Sequence, residues 1–330
     1  MKAPVRIAAW VVLLPLALGL LLLVASSLLS PRRAGQPLAS AVGIPHPAVI
    51  AHRGLSYWAP EETRAAYELA REIGADYLEV DVQRTSDGVL IAFHDDTLAR
   101  TTNVAVVFPD RRERGPEAFT YAELASLDAG SWFNRAHPER ARPAYVGARI
   151  LRLQELLEIA RTGPHRPGLY IETKGAQKYQ GYEREIVQLL TTHGFLSDSG
   201  GPAPVIFQSF VVESLEQLRT LAPSVPRVLL LEHAWPAGTK APSWAAQLAQ
   251  AKAVGCGVGP SGYEGFPWHT GPVHRAGLLA HHYTINEPWQ IRLLLQFGSD
   301  GLFTDAADRV LGILGRGPVD VPGAMRQLGL

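Results

Sequence analysis

Tyr77-Leu78-Glu79-Val80-Asp81-Val82, preceded by Ala48-Val49-Ile50-Ala51-His52-Arg53-Gly54 and followed by Val89-Leu90-Ile91-Ala92-Phe93-His94-Asp95, is the stretch that decides the fold. Side chains of a strand alternate between faces, so Tyr77, Glu79 and Asp81 share one face while Leu78, Val80 and Val82 share the other. Two carboxylates forced together repel unless a cation lies between them. Hard oxygen ligands favour Mg²⁺ or Ca²⁺, with Mn²⁺ also compatible, over zinc. A solvated strand face would carry the same pair, so the neighbours decide between the readings. Glu172, at the end of Leu169-Tyr170-Ile171, is a candidate third ligand from another strand. His52 and His94 each end an apolar run, and in a parallel barrel both would open on the C-terminal face, where active sites are built. Two imidazoles that titrate near neutrality can serve one displacement as base and acid. Arg53 and Lys174 add positive charge that would stabilise oxygens gaining negative charge in a transition state.

Outward from this stretch, short apolar runs alternate with helix-period segments, the pattern of a parallel α/β fold. Strands are predicted at 48–51, 77–82, 89–93, 169–172, 205–208, 228–231, 257–259, 279–285 and 301–304. Helices are predicted at 63–73, 153–160, 182–192, 213–221, 243–253 and 288–297. Nine runs are one too many for an eight-stranded barrel, and the gap between Asp81 and Leu90 is too short for a crossover helix. Residues 97–150 break the alternation and read as an insertion or lid. His281-His282, inside a strand-like run, stand apart from the remaining histidines, which have no comparable context.

The 330 residues are 47% hydrophobic, with 31 basic and 31 acidic side chains and a formal net charge of zero. That allows a sizeable core and gives no basic surface for nucleic acid. Cys256 is the single cysteine, so no intrachain disulfide forms. Between Arg6 and Arg32 no charged residue occurs, and the run is long enough to cross a bilayer as a helix. Residues 1–30 therefore read as an N-terminal transmembrane anchor, with a signal peptide as the alternative. Residues 31–47, rich in Pro, Gly, Ala and Ser, read as a linker, and 48–330 as the globular domain. Lys2 and Arg6 on one side are balanced by Arg32 and Arg33 on the other, and the globular domain is expected outside the cytoplasm.

His52-Arg53-Gly54, Pro60-Glu61-Glu62-Thr63, Gly74 to Val82, Asp87-Gly88 and His94 to Asn103 resemble the glycerophosphodiester phosphodiesterase family. Leu127 to Phe133, Ile171-Glu172-Thr173-Lys174, Gln208-Ser209-Phe210, Tyr283 to Asn286 and Gly301 to Asp305 continue the resemblance in order. It implies a TIM (β/α)8 barrel with a small insertion after the third strand. It also implies a divalent cation at Glu79, Asp81 and Glu172, acid/base roles for His52 and His94, and phosphate contacts from Arg53 and Lys174. The implied reaction splits a glycerophosphodiester into glycerol 3-phosphate and an alcohol. Three departures from the family pattern stand out: Glu62 in place of Asn, which is expected to add negative charge near the mouth; Tyr283 in place of Trp; and Leu151-Arg152 in place of Pro-Thr. A lysophospholipase D acting on membrane lysolipids is the competing enzyme reading, for which an apolar groove at the mouth would speak. A catalytically silent binding protein would show loss of a histidine or a metal carboxylate, and none is lost.

Overall fold

The structure, a computed structural model, describes residues 17–21, 24, 33–196, 203–231 and 242–330. Its nine strands are β1 (Ala48–Ala51), β2 (Tyr77–Arg84), β3 (Leu90–Ala92), β4 (Gly168–Thr173), β5 (Val205–Ser209), β6 (Arg227–Leu230), β7 (Gly257–Gly259), β8 (Leu279–His282) and β9 (Gly301–Thr304). All but β3 pair in parallel, and β1 closes the ring by pairing with both β2 and β9. The result is an eight-stranded TIM barrel. The surplus ninth run is β3, which folds back antiparallel on β2 and stays outside the ring. That explains the short gap after Asp81, since a hairpin needs no crossover.

Helices α1 (Gln36–Ala41), α2 (Arg64–Glu72), α3 (Leu153–Ala160), α4 (Tyr182–Thr192), α5 (Val212–Leu221), α6 (Trp244–Val254), α7 (Pro267–Arg275), α8 (Pro288–Gln296), α9 (Ala307–Ile313) and α10 (Val321–Leu328) accompany the barrel. Leu78, Val80 and Val82 face outward into the core between β2 and the helices, with Leu69, Leu156 and Ile186. The barrel interior is layered. Ile50, Tyr77, Tyr170, Ile206, Val228, Leu279 and Phe303 fill its N-terminal end, and the acidic side chains lie above them. The insertion has its own core, where Phe119, Leu124 and Leu127 pack on Ile91 and Phe93 of the β3 strand region.

Residues 35–47, which read as a linker, instead close the bottom of the barrel. Ala39 of α1 and Ile44 are buried against Ala48, Ile50, Tyr77 and Phe303. Small residues let α1 sit that close: a Cβ on Gly35 would fall 1.8 Å from Asp300 Oδ1. Asp300 in turn accepts from His46 Nε2 at 2.9 Å and His274 Nε2 at 2.9 Å, tying this plug to α7. The expected anchor over 1–30 lies outside the described residues except for 17–21 and 24. Among the described residues no helix is long and apolar enough to cross a membrane.

Candidate active site

The parallel register between β2 and β4 places Asp81 beside Glu172. With Glu79 one pleat lower on the same face, ligand oxygens of the three buried carboxylates lie within 4.8 Å of one another. Burial first, then the charge of Asp81, pushes Glu79 well above the usual carboxylate range. The same two causes push Glu172 up to about 8, against the pull of Lys174. Burial works in the same direction on Asp81 but is outweighed by Lys174, Arg53, His94 and His52, which hold it well below its ordinary value. Asp81 Oδ2 is buried without an aligned hydrogen bond, although Arg53 Nε faces it at 3.1 Å. Crowded, desolvated oxygens with one left unsatisfied fit a hard divalent cation.

Both expected phosphate contacts sit on these carboxylates. Lys174 Nζ donates to Glu172 at 2.9 Å and lies 3.3 Å from Asp81 Oδ1. Arg53 adopts a left-handed backbone (φ 55°), from which its N–H donates to Glu79 Oε2 at 2.9 Å. A non-glycine residue in that region is uncommon and marks a constrained loop. The next residue has to be glycine, because Gly54 has φ 84° and a Cβ there would meet the Ala66 backbone at 2.6 Å.

Each histidine is held by an aspartate to which the sequence reading gave no role. His52 Nδ1 lies 2.7 Å from Asp305 Oδ1, and His94 Nδ1 lies 2.6 Å from Asp95 Oδ1. Burial would raise Asp305, but the hydrogen bond from His52, with those of Asn286 and Ser56, brings it down to about 2. Asp95 is likewise held far down, the pull of His94 and Arg100 outweighing burial. Both aspartates are thus acceptors only. In each case Nδ1 carries the proton and Nε2 is left for chemistry. Arg100 links the halves of the site, contacting Asp95 at 2.5 Å and Glu61 at 2.6 Å, while Glu61 accepts from Arg53 at 2.9 Å. Gln208, from β5, donates to Glu79 Oε1 at 3.0 Å.

A model of the glycerophosphoryl diester phosphodiesterase family matches residues 52–309, which contain every one of these groups. The chain belongs to this family. It is 40% identical over 260 residues to a glycerophosphodiester phosphodiesterase of Bacillus subtilis strain 168, covering 78% of this chain and 83% of that one. Among solved structures, an Oleispira antarctica phosphodiesterase in complex with the product sn-glycerol-3-phosphate superposes with a TM-score of 0.66 at 26% identity, covering 82% and 97% of the two chains. A glycerophosphodiester phosphodiesterase from Agrobacterium tumefaciens gives 0.59 at 27% identity, over 80% and 98%.

Within this family member Glu62 does not add charge at the mouth. It is buried, accepting from Tyr67 OH and, at 3.0 Å, from the Asp81 backbone N–H. Burial, then Asp81, raises it well above the carboxylate range. Tyr283 keeps the aromatic wall, edge-on to Phe210, and its hydroxyl donates to Leu231 O at 2.6 Å. His281 and His282 lie inside the barrel wall, their Nδ1 atoms 2.9 and 2.8 Å from Tyr170 OH and Ser299 Oγ. Burial pushes them down to about 4 and about 3, so they are neutral structural groups.

Proposed function

We propose that this enzyme hydrolyses glycerophosphodiesters to glycerol 3-phosphate and an alcohol, with Glu79, Asp81 and Glu172 holding Mg²⁺ or Ca²⁺ and His52 and His94 moving the protons. The observation that carries this reading is the convergence of three buried carboxylates with two aspartate-held imidazoles, both close enough to lower the pKa of Asp81. When bound, the cation supplies positive charge to the phosphoryl oxygens. With Nδ1 fixed by Asp305, His52 offers Nε2 to a proton, and Asp95 prepares His94 the same way. One imidazole takes the proton of the attacking oxygen on its free Nε2. The other, entering with a proton on Nε2 as well as the Nδ1 proton held by its aspartate, gives the Nε2 proton to the leaving alkoxide. Arg53 and Lys174, anchored on the carboxylates, present positive charge to the phosphate as its negative charge redistributes.

Rates with glycerophosphocholine, glycerophosphoethanolamine and lysophosphatidylcholine, with and without added cation, test the reading. Turnover of the first two that depends on cation is expected. Activity that persists unchanged after exhaustive chelation would sink the metal assignment. One observation favours the lysophospholipase D reading: an apolar cleft of about 130 Å³ on the catalytic face, lined by Phe266, Ile285, Trp289 and Leu294. Faster turnover of lysophosphatidylcholine than of glycerophosphocholine would make that reading primary. The apolar N-terminal run supports a membrane-anchored enzyme, with the barrel outside the cytoplasm where phospholipid breakdown releases such diesters. A reporter active only in the cytoplasm, fused after residue 330, tests this orientation, and a strong signal would reverse it.

A further inference from the structure

The apolar run ends within a few residues of α1, and α1 is seated in the floor of the barrel, at the opposite end from His52 and His94. Its described part carries Leu18, Leu20, Leu21 and Val24, all more than half exposed. The chain from Ser30 to Arg33 spans only about 10 Å even when fully stretched. Strand β2, at about 3.3 Å per residue and tilted, sets floor and mouth roughly 20 Å apart. So short a connection cannot swing the mouth round to a bilayer that holds the preceding segment.

The floor also has a one-sided charge. In α1's entry, the last turns of the barrel helices and the loops that follow them, the exposed basic side chains among the described residues are Arg33, Arg161, Arg166, Arg219, Lys252, Arg275 and Arg326. Among the described residues the first six are in no ion pair with a carboxylate, whereas Arg326 lies 3.8 Å from Asp320. Glu158 and Asp320 are the exposed acids of the same region among the described residues. The other acids there are satisfied inside: Glu72 by Arg71, Asp76 by Arg316, and Asp300 by His46 and His274. Basic side chains beside a membrane segment draw the surface toward anionic headgroups.

We infer that the N-terminal floor of the barrel docks on an anionic bilayer and turns the catalytic mouth away from it, so that the enzyme takes diesters dissolved in water and not lysolipids seated in its own membrane. This rests on reading residues 1–30 as an anchor and the barrel mouth as a glycerophosphodiester site. The competing surface is the mouth itself, where Trp268 and Trp289 are exposed at the starts of α7 and α8.

The test uses the full chain reconstituted in vesicles of phosphatidylcholine and phosphatidylglycerol that carry a nitroxide-headgroup lipid. With Cys256→Ser as background, a fluorophore is attached at His165→Cys on the floor or at Trp289→Cys on the mouth. Emission is expected to be lost from the floor label and kept by the mouth label. Raising salt to 1 M, which shortens the screening length from about 8 to about 3 Å, should restore part of the floor emission. Vesicles of phosphatidylcholine alone should quench the floor label less. Quenching at the mouth, or at neither position, overturns the inference. The same vesicles separate it from the proposed activity. Glycerophosphocholine in the bulk should be turned over as fast as in detergent, and any lysophosphatidylcholine turnover should follow its aqueous concentration and not its bilayer content. A quenched floor label with no glycerophosphocholine turnover would sink the activity and leave the docking intact. Lysolipid turnover that follows bilayer content would overturn the docking geometry.

Discussion

Replacing Asp305 by Asn separates the orientation of His52 from everything else in the site. Asp305 stands at about 2 against an ordinary 3.8 although burial pushes the other way. That gap corresponds to about 2 kcal/mol in favour of the charged form, supplied by His52 at 2.7 Å, Asn286 at 2.6 Å and Ser56 at 3.1 Å. The amide introduced by Asp305→Asn keeps the shape but can donate toward Nδ1, moving the ring proton to Nε2. His52 then has neither a free Nε2 to accept a proton nor a carboxylate to support the ring when both nitrogens are protonated, so it is impaired as base or as acid. We expect kcat to fall by about 10²–10⁴, the scale of a lost proton-transfer group. KM and cation affinity should hold, because Asp305 touches none of the three carboxylates. Steady-state hydrolysis of glycerophosphocholine at saturating cation measures the loss. Nitrogen NMR of the imidazole reports the tautomer, and a thermal melt checks the fold. An unchanged kcat, or a loss that appears wholly in KM, would refute the reasoning.

Glu172, pushed up to about 8, holds a proton at neutral pH in the cation-free protein, so cation binding should release it and tighten as pH rises toward 8. Calorimetry in two buffers of different ionisation enthalpy would show the released proton as a difference in apparent heat. Gln208→Ala removes the side chain that orients Glu79 and should weaken cation binding by about 10–100-fold, read by the same titration, with the melting curve unmoved. Asp300→Asn should cost about 2 kcal/mol at pH 7, because burial is outweighed there by His274 and His46 and the folded value of about 2 lies below the ordinary 3.8. The contribution is fully present above pH 4 and lost as pH falls through about 2. The gap between wild type and variant in urea unfolding should therefore close over that window.

The barrel strands were legible because their apolar runs are short, bounded and continuous, as strands buried on both faces are. Predicted bounds at 257–259 and 301–304 match β7 and β9, and those at 153–160 and 182–192 match α3 and α4. Helix α7 was missed because Pro-Trp-His-Thr-Gly-Pro-Val-His-Arg carries Pro272 and Gly271 inside it and has no 3.6-residue apolar period. The plug was missed for a related reason. α1 is small and Ala-rich, and its burial depends on a floor that exists only once the closed ring brings β1, β2 and β9 together. The carboxylates and histidines were read from strand parity and strand ends. Asp305 and Asp95 stood in the quoted motifs as Thr304-Asp305 and His94-Asp95, but their role depends on which imidazole the closed ring brings to them. Glu62 misled because a carboxylate is ordinarily a surface group, and only packing against Tyr67 and the Asp81 backbone shows it is not.

Beyond its ladder with β2, the β3 region divides the proposed chemistry between two separately packed bodies. His52 is fastened to the ring by Asp305, which follows β9, whereas His94 rides on a flap whose cohesion comes from Phe119, Leu124 and Leu127 of the insertion. Polar stitches join flap to ring at this level: the Arg100 bridge from Asp95 to Glu61, Gln83 donating to the carbonyls of Phe93 and Asp95, and Lys178 on Asp96. None of these side chains is a carboxylate of the proposed cation cradle, and the flap meets that cradle through the main chain, where Phe93 N–H donates to the Asp81 carbonyl at 2.8 Å. Sequence drift in the annex can therefore retime proton delivery while the cation cradle beneath stays as it was, so that speed and affinity can be adjusted separately.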